Sequence, residues 1–152
     1  MNRFFWVLLV SPLLSSAALA QPKLPSLSAI TGEGVCTATK SEQESKRATV
    51  KLLQSASGFR ILEVENERHK GRGPATQVED KETGHVGYFL DFGGRGSIVV
   101  EFWVEDGKAL KSKLFITKAP QAGESEPTLY EYDCEKKAAP QAGMYSPGRR
   151  SE

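Results

Sequence analysis

The sequence predicts an all-β fold, a single small antiparallel β-barrel or meander of about seven strands closed by one disulfide, with a two-sheet β-sandwich as the alternative. Three observations carry this expectation. β-branched and aromatic residues gather in short runs punctuated by turn residues. No window of about eleven residues or more carries a helical apolar stripe. Only two cysteines occur, Cys36 and Cys134, one near each end of the patterned region, so a bridge between them clips the first strand to the last. Clipped ends favour closure over an open sheet with two exposed edges.

Seven runs supply the strands in order: Gly34 to Lys40, Ala48 to Gln54, Phe59 to Glu67, His85 to Phe92, Ser97 to Glu105, Ala109 to Lys118 and Thr128 to Glu135. Sequential antiparallel hairpins are the simplest connection. Gly93-Gly94-Arg95-Gly96 provides the positive-φ freedom of a tight reversal between the fourth and fifth runs. Asp106-Gly107-Lys108 forms a three-residue loop between the fifth and sixth, which sets Glu105 opposite Ala109. That register stacks Val104 on Leu110, Val100 on Leu114 and Ile98 on Ile116 on the inner face. On the outer face it places Glu101 opposite Lys113 and Trp103 opposite Lys111. Val86, Tyr88, Leu90, Phe92, Tyr130, Tyr132 and Cys134 continue the inner face, and so many bulky residues predict a filled interior.

The ends read differently. Arg3, the apolar run Phe4 to Leu14 and Ala18-Leu19-Ala20 before Gln21 have the form of a secretory signal over 1–20, cleaved near Ala20. Residues 21–32 are Pro- and Ser-rich and are expected to be a flexible lead-in, 33–137 the β domain, and 138–152 a disordered tail. Export to the periplasm or medium makes the Cys36–Cys134 bridge the expected thiol chemistry, worth roughly 4–5 kcal/mol by loop-closure entropy. Loss of 1–20 removes only Arg3, leaving 19 basic against 19 acidic groups, interleaved along the chain. That excludes the clustered basic face of a nucleic-acid binder, and no later segment predicts membrane insertion, so a monomer in solution is expected.

Motifs of catalysis are missing: there is no G-x-S-x-G, H-E-x-x-H or P-loop. His69 and His85 lie in polar, glycine-flanked stretches and read as solvated loop residues. The alternation Glu63, Glu65, Glu67, His69 places three carboxylates and an imidazole on one strand face. Same-face neighbours there lie about 7 Å apart, so one ion reaches only two of them, and a solvated outer face is the expectation. Neither a metal nor another cofactor is therefore expected. Arg68, Lys70 and Arg72, interleaved with Gly71 and Gly73, form a basic loop that could grip an anion or an acidic partner.

Phe89, Val99, Trp103 and Phe115 alternate out of phase with the core and have no evident reason to face water. Phe89, Val99 and Phe115 would form one row across three strands, and His85, Trp103 and Lys111 a second. Together they make a partner patch with a charged rim unless a tail, residues 74–84 or a second sheet covers them. Ser55-Ala56-Ser57-Gly58 ahead of Phe59, with the Tyr132-x-Cys134 ending, resembles exported C-type lysozyme inhibitors, and the resemblance implies a small disulfide-clipped β-barrel. The chain departs from that family at Phe59-Arg60-Ile61 and at Glu135-Lys136-Lys137. The expected function is that of an exported non-enzymatic β-domain binding a protein or cell-envelope component as an inhibitor or adaptor. A small-ligand carrier with a barrel cavity is the alternative.

Overall fold

The computed structural model describes residues 22–138, so the expected signal segment 1–20 and the tail from 139 onward lie outside the described residues. The chain forms a short helix, α1 (Leu27–Ile30), and nine strands: β1 (Gly32–Ala38), β2 (Arg47–Gln54), β3 (Arg60–Asn66), β4 (Lys70–Pro74), β5 (Thr76–Asp80), β6 (His85–Asp91), β7 (Gly96–Glu105), β8 (Ala109–Lys118) and β9 (Thr128–Lys136). All are antiparallel neighbours in one sheet of order β4-β3-β2-β1-β9-β8-β7-β6-β5, curled into a nearly closed barrel. The seven predicted runs are β1–β3 and β6–β9. The barrel rather than the sandwich is the architecture.

The hairpin registers are the predicted ones. Val104 faces Leu110, Val100 faces Leu114 and Ile98 faces Ile116 between β7 and β8, and Phe89 faces Val99 between β6 and β7. The tight loop after β7 is taken by Asp106 at φ 52° and Gly107 at φ 69°, the left-handed backbone that closes a short reversal. Cys36 and Cys134 sit directly opposite each other between β1 and β9 and are disulfide-bonded across 98 positions of sequence. Both sulfur-bearing residues are buried. The bridge fits an oxidising compartment.

β4 and β5 were not foreseen as strands, because Lys70–Pro74 and Thr76–Asp80 carry glycine, proline and charge instead of apolar alternation. They are the two edges of the sheet, and only Ala75 separates them, so the chain steps from one edge to the other and covalently closes the seam. Proline is tolerated at the end of such an edge. The inward positions of β4 are Gly71 and Gly73, and their side-chain space is filled from across the seam. A Cβ at Gly71 would lie 2.7 Å from Phe92 Cζ, and one at Gly73 would lie 2.8 Å from Leu90 Cδ1. The glycines are what allow β6 to approach β4 without a ladder between them.

The interior is filled. Leu52, Leu62, Val64, Tyr88, Val100, Leu114 and Tyr132 are all essentially inaccessible. The two phenols are satisfied: Tyr88 Oη donates to Gln77 Oε1 at 3.0 Å, and Tyr132 Oη accepts from Asn66 Nδ2 at 3.1 Å. Burial pushes the Tyr88 phenol above its ordinary value.

Both barrel ends receive covers that the strand pattern did not announce. The stretch 21–32, expected to be flexible, contains α1 with Ser26 as its N-cap, and Ile30 is buried in the core at the end where β1 begins. Lys136 Nζ and the Thr31 hydroxyl satisfy the α1 carbonyls. Burial of Ile30, the packing of Leu27 against the core and these hydrogen bonds together hold the segment down despite its Pro- and Ser-rich composition. At the opposite end Gln43 and Ser45 are buried: Gln43 Oε1 accepts from Glu131 N at 2.9 Å, and the Ser45 hydroxyl donates to Glu67 Oε2 at 2.5 Å.

Candidate functional site

Because the barrel is a single sheet, residues that alternate out of phase with the core point outward. On β6, β7 and β8 the pairings Phe89–Val99 and Val99–Phe115 lay three apolar side chains side by side, flanked by Thr76 on β5 and Glu131 on β9. Phe89 is 37% exposed, while Val99 and Phe115 are half-buried by their neighbours. Residues 74–84, one of the covers considered from sequence, do not lie over this row; they extend the sheet sideways as β5. No second sheet stacks on it, since all nine strands belong to one.

The next row outward in register is Val78, Gly87, Glu101, Lys113 and Asp133. Gly87 leaves a gap where a side chain would stand, and a groove of about 320 Å³ opens there between Val78, Asp80, His85, Phe89, Val99 and Glu101. A Cβ on Gly87 would meet nothing closer than Val78 O at 3.9 Å and Val100 O at 4.0 Å. The gap is therefore not imposed by steric crowding. Val78, 59% exposed, forms the outer lip. Val78 and Gly87 escaped the sequence reading because β5 has no buried face to create alternation. A glycine inside an otherwise apolar strand was the available signal.

Trp103 and Lys111 pair as expected, and Trp103 stacks on His85 with ring centroids 5.0 Å apart and planes 10° apart. His85 is a strand residue and not a loop histidine, as its place at the start of the fourth run also implies: it begins β6, its side chain stays partly exposed, and its Nδ1 lies 3.8 Å from Glu101 Oε2. Stacking against a flat indole fixes a side chain that its glycine-flanked sequence left undetermined. Lys111 is an exposed rim residue 3.5 Å from Glu105 Oε2. On the other border Lys113 Nζ donates to Glu131 Oε1 at 2.7 Å. That shared hydrogen bond holds the Glu131 carboxyl below and the Lys113 ammonium above their ordinary values. The face thus has an apolar centre and a mixed charged rim.

Arg68, Lys70 and Arg72 do not form a loop. Arg68 sits in the β3–β4 turn, and Lys70 and Arg72 are strand residues of β4. Each faces an acid: Arg68 lies 2.9 Å from Glu44, Lys70 3.1 Å from Glu65, and Arg72 3.6 Å from Glu63. The pairing strand β3 supplies two of those carboxylates, which is why alternating charges in sequence became ion pairs in space. Glu67 leaves the alternation altogether. Its carboxylate accepts from the Ser45 hydroxyl and from the amides of Lys46 and Arg47, and these hydrogen bonds, led by Ser45, hold its pKa low. Among the described residues no group of three or more His, Cys, Asp or Glu side chains is placed to hold a metal.

One further exposed aromatic lies elsewhere. Phe59, 68% exposed, ends the β2–β3 turn, where its amide donates to Ser55 Oγ at 3.0 Å. No described helix is long and apolar enough to cross a membrane. No protein-family model, no curated protein and no solved structure matches the chain.

Proposed function

We propose that this chain is an exported, non-enzymatic β-domain, periplasmic or secreted and monomeric, that binds a protein or cell-envelope component through the outer face of β5–β8. The observation that carries the reading is the half-exposed row Phe89, Val99 and Phe115 beside the Gly87 groove, uncovered among the described residues. Large apolar side chains on an outer face lose transfer free energy of roughly 25 cal/mol for each Å² left in water, and a partner recovers it. The stacked His85–Trp103 pair supplies a rigid aromatic anchor of the kind that dominates interface energetics. The rim of Glu101, Lys111, Lys113 and Glu131 gives orientation, and its ion pairs leave no single sign of charge to select a polyanion.

The test compares capture from a cell-envelope extract by wild type, Gly87→Val and Trp103→Ala, each first checked for folding. Gly87→Val fills the groove without touching the core. The expected result is a protein or envelope component retained by wild type and lost by Gly87→Val at an undiminished melting temperature. Equal capture by the groove-filled variant would refute binding at this face.

A further inference from the structure

The barrel end opposite α1 is not wholly covered. Between the β4 edge and the ends of β6–β8 lies a cleft of about 450 Å³ that shares no lining residue with the outer groove. Its floor is apolar, formed by Phe92, Ile98 and Ile116, with Ile98 and Ile116 buried as part of the core. Gly71 keeps that floor bare on the β4 side, since a Cβ there would strike Phe92 and Ile98. The walls carry Lys70, Arg72, Arg95 and Lys118, and no carboxylate lines the cleft.

The four cations are not equivalent. Lys70 and Arg72 are engaged with Glu65 and Glu63 on β3, whereas among the described residues neither Arg95 nor Lys118 has a carboxylate within ion-pairing distance. His69, on the same wall, has its Nδ1 shut off from solvent without a hydrogen-bond partner. An apolar floor beneath two free cations is complementary to a ligand with an apolar chain and an anionic head. A planar guanidinium beside an ammonium suits a carboxylate, which accepts from both. The volume lies within the range of small-molecule sites, and the filled interior keeps the chain at the mouth instead of inside the barrel.

We infer that this cleft binds a single-chain anionic amphiphile, its tail on Phe92, Ile98 and Ile116 and its carboxylate between Arg95 and Lys118. The site stands independently of the partner face, because its residues and its variants are different.

The experiment titrates the full exported chain with dodecanoate below its micelle concentration, by calorimetry and by amide NMR shifts. Dodecyl maltoside, acetate and vesicles of anionic phospholipid serve as comparison arms. Saturable dodecanoate binding is expected, with shifts centred on residues 92–98 and 116–118. It should weaken roughly tenfold or more in Arg95→Gln/Lys118→Gln and be unchanged in Lys111→Gln on the outer face. Dodecyl maltoside lacks the charge and acetate the tail, so both should bind far more weakly. Equal affinity for the neutral detergent, unaltered binding by the folded double variant, or no saturable binding would overturn the inference. Binding to vesicles without binding to dodecanoate would also overturn it, and would assign the cations to a membrane surface.

Discussion

The closure of the barrel can be tested by making the same chemical change at two glycines that the structure places in opposite circumstances. Gly73 and Gly87 both lie in strands, and neither has a positive φ, so alanine is conformationally acceptable at either. In the absence of steric conflict, Gly→Ala should stabilise by about 0.4–1 kcal/mol through loss of unfolded-chain freedom. That is the expectation for Gly87→Ala, whose Cβ would have only ordinary contacts at 3.9 and 4.0 Å. At Gly73 the Cβ would lie 2.8 Å from Leu90 Cδ1, closer than two carbons can sit, and Leu90 is a buried core residue with little room to turn. Overpacking of this kind costs about 1–3 kcal/mol. The chain-entropy gain is common to both variants, so they should differ by the overpacking cost alone, about 1–3 kcal/mol, with Gly73→Ala the less stable. Chemical denaturation of both proteins under non-reducing conditions reads the difference directly, with roughly 3–6 °C of melting temperature accompanying each kcal/mol. If Gly73→Ala were as stable as Gly87→Ala, β6 would not approach β4 through its glycines. The closed seam would then be wrong.

The remaining predictions concern other parts of the molecule. Replacing both Cys36 and Cys134 by alanine should cost about 2–5 kcal/mol, measured by denaturation against the oxidised protein; mass spectrometry of the unreduced chain should find no free thiol. Ile30→Ala should destabilise by about 2–5 kcal/mol if α1 plugs the barrel, and a change near zero would return that segment to a surface lead-in. Glu33, Glu67 and Glu131 have carboxyls held below their ordinary value of 4.5, so they contribute stability that is present above that pH and lost as pH falls through the lower folded values. Acid titration of stability should show this loss, and Glu67→Gln should make the descent shallower; an unchanged slope would mean that Glu67 does not brace Ser45 in solution. Lys113 is shifted the other way, by its hydrogen bond to Glu131, so its contribution is complete below 10.5 and disappears only as pH rises through its higher folded value.

How far the chain could be read in advance depended on whether a feature was local. Alternation of apolar residues fixes which side of a strand is buried, and tight turns fix register. The inner face, the Phe89–Val99–Phe115 row and the Trp103–Lys111 pair were therefore all legible from residue types and loop lengths. Two cysteines, one near each end of the patterned region, allow one bridge, and it formed. β4 was illegible for the opposite reason. Its inward positions are glycines, and the hydrophobic side chains that fill its inner surface, Leu90 of β6 and Phe92 just after it, lie elsewhere in sequence.

The same distinction separates the two candidate sites. Outward-facing aromatics announce themselves by being out of phase, but the groove among them exists only because β5 brings Val78 beside Gly87. The fates of Arg68, Lys70 and Arg72 were decided by the carboxylates that β3 and the 39–46 turn set opposite them, while Arg95, in the turn before β7, and Lys118, at the end of β8, come to line one cleft. Short-range periodicity and turn chemistry thus determined the strand faces and the outward apolar row, and the count of two cysteines determined the disulfide. The absence of a second sheet or of residues 74–84 over that row was decided by the fold. Whether a charge is paired or free, and whether a gap is filled or open, depends on residues distant in sequence, and these only the closed sheet brings together.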